Sequence, residues 1–539
     1  MKHRLSYAPL LLLSLAVACG DDETHPSGGS NTGGDDTGGG GGGDGGSGGA
    51  PAAAIESARA PDETSIVIVL SGGEVDPPLA TNAYTLESTK GSLTVGDVAY
   101  EPATRTITLS VSQQKLGVEY TLQILSPGQP LDLQTVKFWS ADTATFWAAD
   151  FGSPSFEDYE VVAERVGVGE NIVVYTTPEA EADDVEQAIA YFDEQIFPTE
   201  TALYTSAPDR DDNGKIVVLG LDGGGYYAGY FSPVNSLSEQ QAQQFGTHSN
   251  EMEMLYISVP DLGFSLGAEA VIAHEFSHLL YNESHDFFSA DWQWHNEGLA
   301  ECAVHAVGGE NAYAAQFYVS SPGLADGQSL VNWVYSNYDQ YAQAYVFLTY
   351  AASRLGGVDG YGAMFQLEGD PASAGDFFSA ELGRDFSELQ LDMLTAVWLQ
   401  DASGPTGFNG MLSLPGGPQT ATSSPLQLET FEGVFFQAAT NGLSPMGAGP
   451  DVVFRGIDGA GLIDDSAPFD AQGGVIIALR TADAPAKGTQ SSGTFAAGVA
   501  PPSGPAPSLP SRSWRHPPPL KPANLPALRA WRLQAHGFF

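Results

Sequence analysis

Between residues 55 and 125 apolar and polar side chains alternate in short runs separated by turn residues. Residues 65–70, 92–95, 106–111 and 120–125 each read as a strand with one inward face, and strands at this spacing predict a small β-sandwich over residues 51–130. From about residue 136 the period changes. Residues 171–175, 215–221 and 253–258 are apolar runs of strand length, whereas 179–197 and 268–281 carry apolar positions at helical spacing. Pro178 suits a first helical turn, and the acidic residues that follow it suit the positive end of a helix dipole. Residues 330–402 read as mostly helical. After Gly404 the chain grows rich in Gly, Pro, Ser and Thr, and strands at 434–436 and 474–479 predict a small β-rich domain over 404–484. The expected fold is therefore multidomain, with an α+β domain at 136–403 carrying the chemistry.

Composition narrows the classes of partner. A chain of 539 residues with 42% hydrophobic side chains can bury a large core, and a formal charge of −46 repels nucleic acid. Lys2 and Arg4 precede an apolar run, residues 10–17, that is too short to span a bilayer and reads as an export signal. It ends in Leu15-Ala16-Val17-Ala18-Cys19, which resembles the lipobox of bacterial lipoproteins. That resemblance implies removal of residues 1–18, lipidation of Cys19 and a membrane anchor on an exported protein. The plainer reading is a secretory signal with a chance cysteine. Residues 19–50 are dominated by Gly, Ser, Asp and Thr and read as a flexible tether. With Cys19 lipidated, Cys302 has no partner for an internal disulfide. Residues 485–539 carry Lys and Arg but no Asp or Glu, as in a disordered basic tail or the product of a shifted reading frame. No function is assigned to them.

The segment Ala273-His274-Glu275-Phe276-Ser277-His278-Leu279 holds His-Glu-x-x-His in an apolar helical context. Residues four apart share a helix face, so both imidazoles can reach one ion, and neutral imidazole suits Zn2+. Glu275 is rotated toward the open side, where it can take a proton from a metal-activated water. After residues 279–296 comes Glu297, which can complete a His₂Glu set from a second helix. Glu301 lies one turn later on the same face and can accept the free N–H of His274.

His274-Glu275-Phe276-Ser277-His278 followed by Asn296-Glu297-Gly298-Leu299-Ala300-Glu301 resembles the gluzincin metallopeptidases, and among them the hyicolysin-like family. The resemblance implies a thermolysin-like zincin domain and hydrolysis of peptide bonds in proteins or peptides. It departs from the usual pattern at His295, where a Leu is typical. The metzincin plan fits badly, since Tyr281 and Ser284 stand where it needs Gly and His, and His285 is one residue out of place. The run from Tyr341 to Gly357 resembles the segment that carries the catalytic tyrosine in gluzincin aminopeptidases, with Tyr341 at the tyrosine position and Tyr338 its nearest competitor. The Gly-x-Met-Glu-Asn signature of those aminopeptidases is absent, and Glu251-Met252-Glu253-Met254 is a loose echo of it, which favours an endopeptidase. An aminopeptidase, or a surface-display lipoprotein that has lost activity, is the alternative. The strand at 253–258 is expected to pair with extended substrate.

Asp209, Asp211 and Asn213, with Gly214 following, match the first half of a calcium loop, but Gly220 stands where the twelfth-position Glu belongs. The same residues also suit a plain polar turn leading into a strand. Cys302 reads as a small buried residue rather than a fourth ligand, and His295 and His305, which could line the cleft, read as packing residues.

Overall fold

The computed structural model describes residues 52–153, 157–180, 184–264, 266–287, 289, 293–325, 327–333, 338–367, 369–421, 428–436, 451–458, 461, 463–464 and 474–481. The expected signal peptide, Cys19, the expected 19–50 tether and the 485–539 tail lie outside them.

Strands β1 (Ala54–Asp62), β2 (Ser65–Ser71), β3 (Tyr84–Ser88), β4 (Gly91–Ser92), β5 (Val95–Glu101), β6 (Thr106–Val111), β7 (Glu119–Ile124) and β8 (Thr135–Trp139) form two antiparallel sheets, ordered β1-β2-β6-β5 and β4-β3-β7-β8. Alternation explains the packing: Ile66, Ile68 and Leu70 of β2 point inward against Leu86, Leu122 and Ile124 of the other sheet. The expected strand at 92–95 is split. Ser92 ends in one sheet and Val95 begins in the other, so this segment is the crossing between them. The sandwich also runs past residue 130, because β8 pairs with β7.

The central sheet has the order β13-β14-β12-β11-β10-β9, built from β9 (Thr143–Ala149), β10 (Asp158–Val168), β11 (Ile172–Thr176), β12 (Ile216–Leu221), β13 (Gly229–Phe231) and β14 (Met254–Ser258). β11, β12 and β14 are parallel neighbours and buried on both faces, which is why they read as unbroken apolar runs. Ile172, Val174, Val218, Leu255 and Ile257 face a helical layer, while Val173, Tyr175, Val217, Leu219 and Tyr256 face a second core under β9 and β10.

The helices are α1 (Val185–Tyr191), α2 (Phe197–Leu203), α3 (Glu239–Gln244), α4 (Val259–Leu262), α5 (Leu266–Ser284), α6 (Gln293–Gly308), α7 (Ala312–Ser320), α8 (Pro322–Ala325), α9 (Asp339–Ala352), α10 (Asp359–Phe365), α11 (Pro371–Leu382) and α12 (Phe386–Leu399). Pro178 precedes rather than opens α1, which begins at Val185. A π-helical stretch, Phe192–Ile196, carries that helix on into α2, with Pro198 in the first turn of α2. Pro198 has no N–H to give to the preceding turn, so the wider π turn accommodates it without loss of an α-helical hydrogen bond. β15 (Gln328–Ser329), between α8 and α9, joins four strands that follow α12, namely β16 (Glu432–Phe436), β17 (Val452–Ile457), β18 (Ile463–Asp464) and β19 (Val475–Arg480), in a sheet ordered β15-β16-β19-β17-β18. Among the described residues no helix is long and apolar enough to cross a membrane.

Candidate metal centre

Helix α5 is anchored by Ile272, Phe276, Leu279 and Leu280, all fully or almost fully buried in the core that it shares with the central sheet. That burial fixes its rotation and turns His274 and His278 together toward α6. Helix α6 brings Glu297 to the same point. Gly298, the next residue, allows α9 to close on α6: a Cβ there would lie 2.7 Å from Leu348 and 2.9 Å from Ala344.

His274 Nε2 and His278 Nε2 are 3.1 Å apart. Glu297 Oε2 stands 3.5 Å from the first and 3.2 Å from the second. Each edge of this triangle is close to that of a tetrahedron with metal–ligand bonds of 2.0–2.1 Å, roughly 3.3 Å. His278 Nδ1–H donates to Asn296 Oδ1 at 2.9 Å, leaving the Nε2 lone pair directed at the triangle. Glu297 Oε2 is buried and accepts no hydrogen bond, an orphaned anion that a cation would satisfy. Burial opposes charge on Glu297, but His278 and His274 hold its carboxyl down at about 2. Burial also opposes charge on His278, yet Glu297 draws a proton to Nε2 and holds the imidazole up at about 9, so a bound cation takes the place of that proton. The donor set and its spacing fit zinc.

Glu301 supports His274 from behind, with Oε1 3.6 Å from His274 Nδ1. Its other oxygen accepts from Asn311 Nδ2 at 2.6 Å and Tyr338 Oη at 2.9 Å. The Tyr338 hydroxyl is thereby committed to Glu301. Tyr341 stacks on Tyr338 and stands beside His274, its ring centroid 6.5 Å from that of the imidazole. Glu275 is buried, which raises its carboxyl above the ordinary range even though His274, His278 and the N–H of Phe231 favour the carboxylate.

One expectation is corrected here. Strand β14, at Met254–Ser258, has no open side, because β12 and β13 pair with its two edges. With β9 at the opposite edge, the edge strand on this side of the sheet is β13. It lies against α5: a Cβ on Gly229 would lie 2.5 Å from Val271 and 3.2 Å from Glu275 Cγ.

Residues read as packing are packed. His295 Nε2–H donates to the Met364 carbonyl, its Nδ1 accepts from Tyr281 Oη, and burial pushes its pKa down to about 3. His305 meets Tyr345 and Tyr361, and Cys302 is a fully buried free thiol. His285 is tied to the carbonyls of Tyr281 and Leu367. Phe231 and Asn311 are contributors that the sequence reading missed, and Asn296, quoted there within the motif, was given no role. Only Asn296, next to Glu297, carried a local signal. Asp209 and Asp211 converge with Glu253 elsewhere.

No protein-family model matches the sequence, and no curated protein matches it either. Among solved structures, the chain is similar to yeast LTA4 hydrolase in complex with bestatin, with 13% identity, a TM-score of 0.27 and 64% of each chain covered. It is also similar to the N-terminal part of the bacterial S-layer protein SbsC, with 17% identity and a TM-score of 0.15, covering 18% of this chain and 25% of that one. The Group B Streptococcus pullulanase SAP is 10% identical with a TM-score of 0.13, covering 24% of this chain and 23% of that one. Likenesses at these scores assign neither fold nor activity.

Proposed function

We propose that this chain is a zinc endopeptidase of the gluzincin class, with His274, His278 and Glu297 as ligands and Glu275 as general base. The observation that carries the proposal is the triangle of donor atoms, whose edges of 3.1, 3.2 and 3.5 Å suit one tetrahedral ion. When bound, zinc supplies Lewis acidity, which lowers the pKa of a water at its open position and polarises a carbonyl. The chain's residues do the rest. Glu275 accepts the water proton and passes it to the leaving amine, and its buried, raised carboxyl suits a group that must hold a proton in between. Tyr341, beside His274, donates to the oxyanion that develops. Glu301 and Asn296 keep the two imidazoles oriented. An extended substrate chain pairs with the edge of β13. Glu253, in the loose echo of the aminopeptidase signature, accepts the N–H of Arg210 and faces Asp209 and Asp211, which favours action within a chain. Export, the Cys19 anchor, and a spacer role for the sandwich, whose strand pattern over residues 51–130 resembles the Ig-like modules of bacterial surface proteins, belong to the same proposal.

The test is casein cleavage with metal analysis. The purified chain should carry about one zinc, lose activity to a chelator and regain it with added zinc. Glu275→Gln should keep the zinc and lose about 10²–10⁴-fold in rate. Undiminished cleavage by that variant removes Glu275 as the base, and cleavage of unblocked but not N-acetylated peptides turns the reading to an aminopeptidase.

A further inference from the structure

We propose that Asp209, Asp211, Asn213 and Glu253 form a second cation site, selective for calcium, at the entry to the central sheet. This site is separate from the zinc triad and does not depend on it.

The loop before β12 offers oxygen atoms at alternating positions but lacks the distant carboxylate that usually completes such a loop. Gly220 cannot be replaced by one, because a Cβ there would lie 2.5 Å from Val259 and 2.8 Å from Thr176. The sheet supplies the missing acid from elsewhere. β12 and β14 are parallel, with Val217 opposite Met254, so the residues just before them are neighbours. Glu253 is thus delivered to the loop, and one carboxylate oxygen from each of Asp209, Asp211 and Glu253 lies within 4.8 Å of the others.

The loop is already folded around that point. Asp209 Oδ1 accepts from the N–H of Gly214 at 2.8 Å, Asp211 Oδ1 from Asn213 at 3.2 Å, and Asn213 Oδ1 from Lys215 at 2.5 Å. Asn213 Nδ2 donates to Asp211 Oδ2 at 2.8 Å. The independent observation is on Glu253. Its side chain is only 2% exposed, and Oε1 accepts no hydrogen bond, the Arg210 guanidinium standing off at 3.6 Å. Arg210 makes its closest ion pair with Glu283 instead. Glu253 Oε2 accepts from the N–H of Arg210, but a buried Oε1 with no hydrogen-bond donor, on a side chain grouped with two other carboxylates, is costly unless a cation sits among them. Lys90 Nζ, 3.1 Å from Asp209 Oδ2, answers only the outermost of the three acids.

An all-oxygen donor set with no imidazole or thiolate selects a hard cation over zinc, and an adaptable loop suits the larger calcium ion better than magnesium. Bound there, calcium joins the entries of two central strands. It also steadies the loop that Lys90 and Lys115 of the sandwich grip through Asp209 and Asp212.

The experiment uses the zinc-loaded full chain, with calcium measured by equilibrium dialysis, and melting followed against free calcium. One calcium per chain should bind with zinc retained, and Tm should rise with the logarithm of free calcium. Glu253→Gln and Asp211→Asn should each weaken binding at least roughly tenfold. Asp212→Asn, on an exposed side chain paired with Lys115, should leave it unchanged. No bound calcium at millimolar concentration, or wild-type affinity in Glu253→Gln, overturns the site. So does equal binding of magnesium. Should Glu253→Gln fail to fold, the half-buried Asp211→Asn decides.

Discussion

Asn296 governs how His278 meets its ion, because accepting from Nδ1 leaves only Nε2 to point at the triangle. Asn296→Ala should lower zinc affinity about 10–100-fold by competition with a chelator, while activity at saturating zinc falls much less. Glu200 makes a different prediction. It is fully buried on α2, neither oxygen accepts a hydrogen bond, and burial raises its carboxyl well above 4.5. Folding therefore takes up a proton at this position. Its contribution is intact below the unfolded value of about 4.5 and is lost as pH rises toward the folded value. Glu200→Gln should accordingly stabilise the chain by about 1–3 kcal/mol at pH 8, and the two melting curves should converge near pH 4. His274, Glu275 and His278 were legible because His-Glu-x-x-His at helical spacing puts two imidazoles on one face, and Glu297 because it stands in the Asn-Glu-Gly run that follows. Asn311 and Phe231 were not, since each reaches the site through tertiary packing that leaves no periodic trace.

Among the elements, the short edge strand β13 and helix α5 touch through Gly229. A side chain there must push the strand away from Val271 and Glu275. Gly229→Val should cost about 1–3 kcal/mol in stability and most of the peptidase rate, with zinc still bound in a metal assay. The apolar runs that became β11, β12 and β14 were legible because a strand buried on both faces is apolar throughout. Strand β10 was not. Its Val161-Val162 and Glu164-Arg165 pairs break the alternation, and most of its side chains remain partly or wholly exposed. Helix α1 started later than expected because Pro178 and the turn from Thr177 to Ala180 lie ahead of it.

Among the described residues of the whole molecule, the sandwich has a core of its own, whereas the last sheet buries one face in a small core of its own and the other against the helices. Phe435, Ile477 and Leu479 share one core with Leu394 and Val397 of α12, and β15 is borrowed from the helical region. Composition marked the change after Gly404 but could not reveal that shared interior. The structure also leaves one thiol sealed in the ligand-bearing helix: Cys302 follows Glu301 and is buried near Thr349 and Tyr361. In a Cys19→Ser background this sulfur becomes a stopwatch for the seam between α6 and its neighbours. Iodoacetamide should alkylate it slowly in zinc-loaded protein and several-fold faster once a chelator has stripped the ion, as read by intact mass. Equal rates would mean that the ion holds its three donors without holding the helices together.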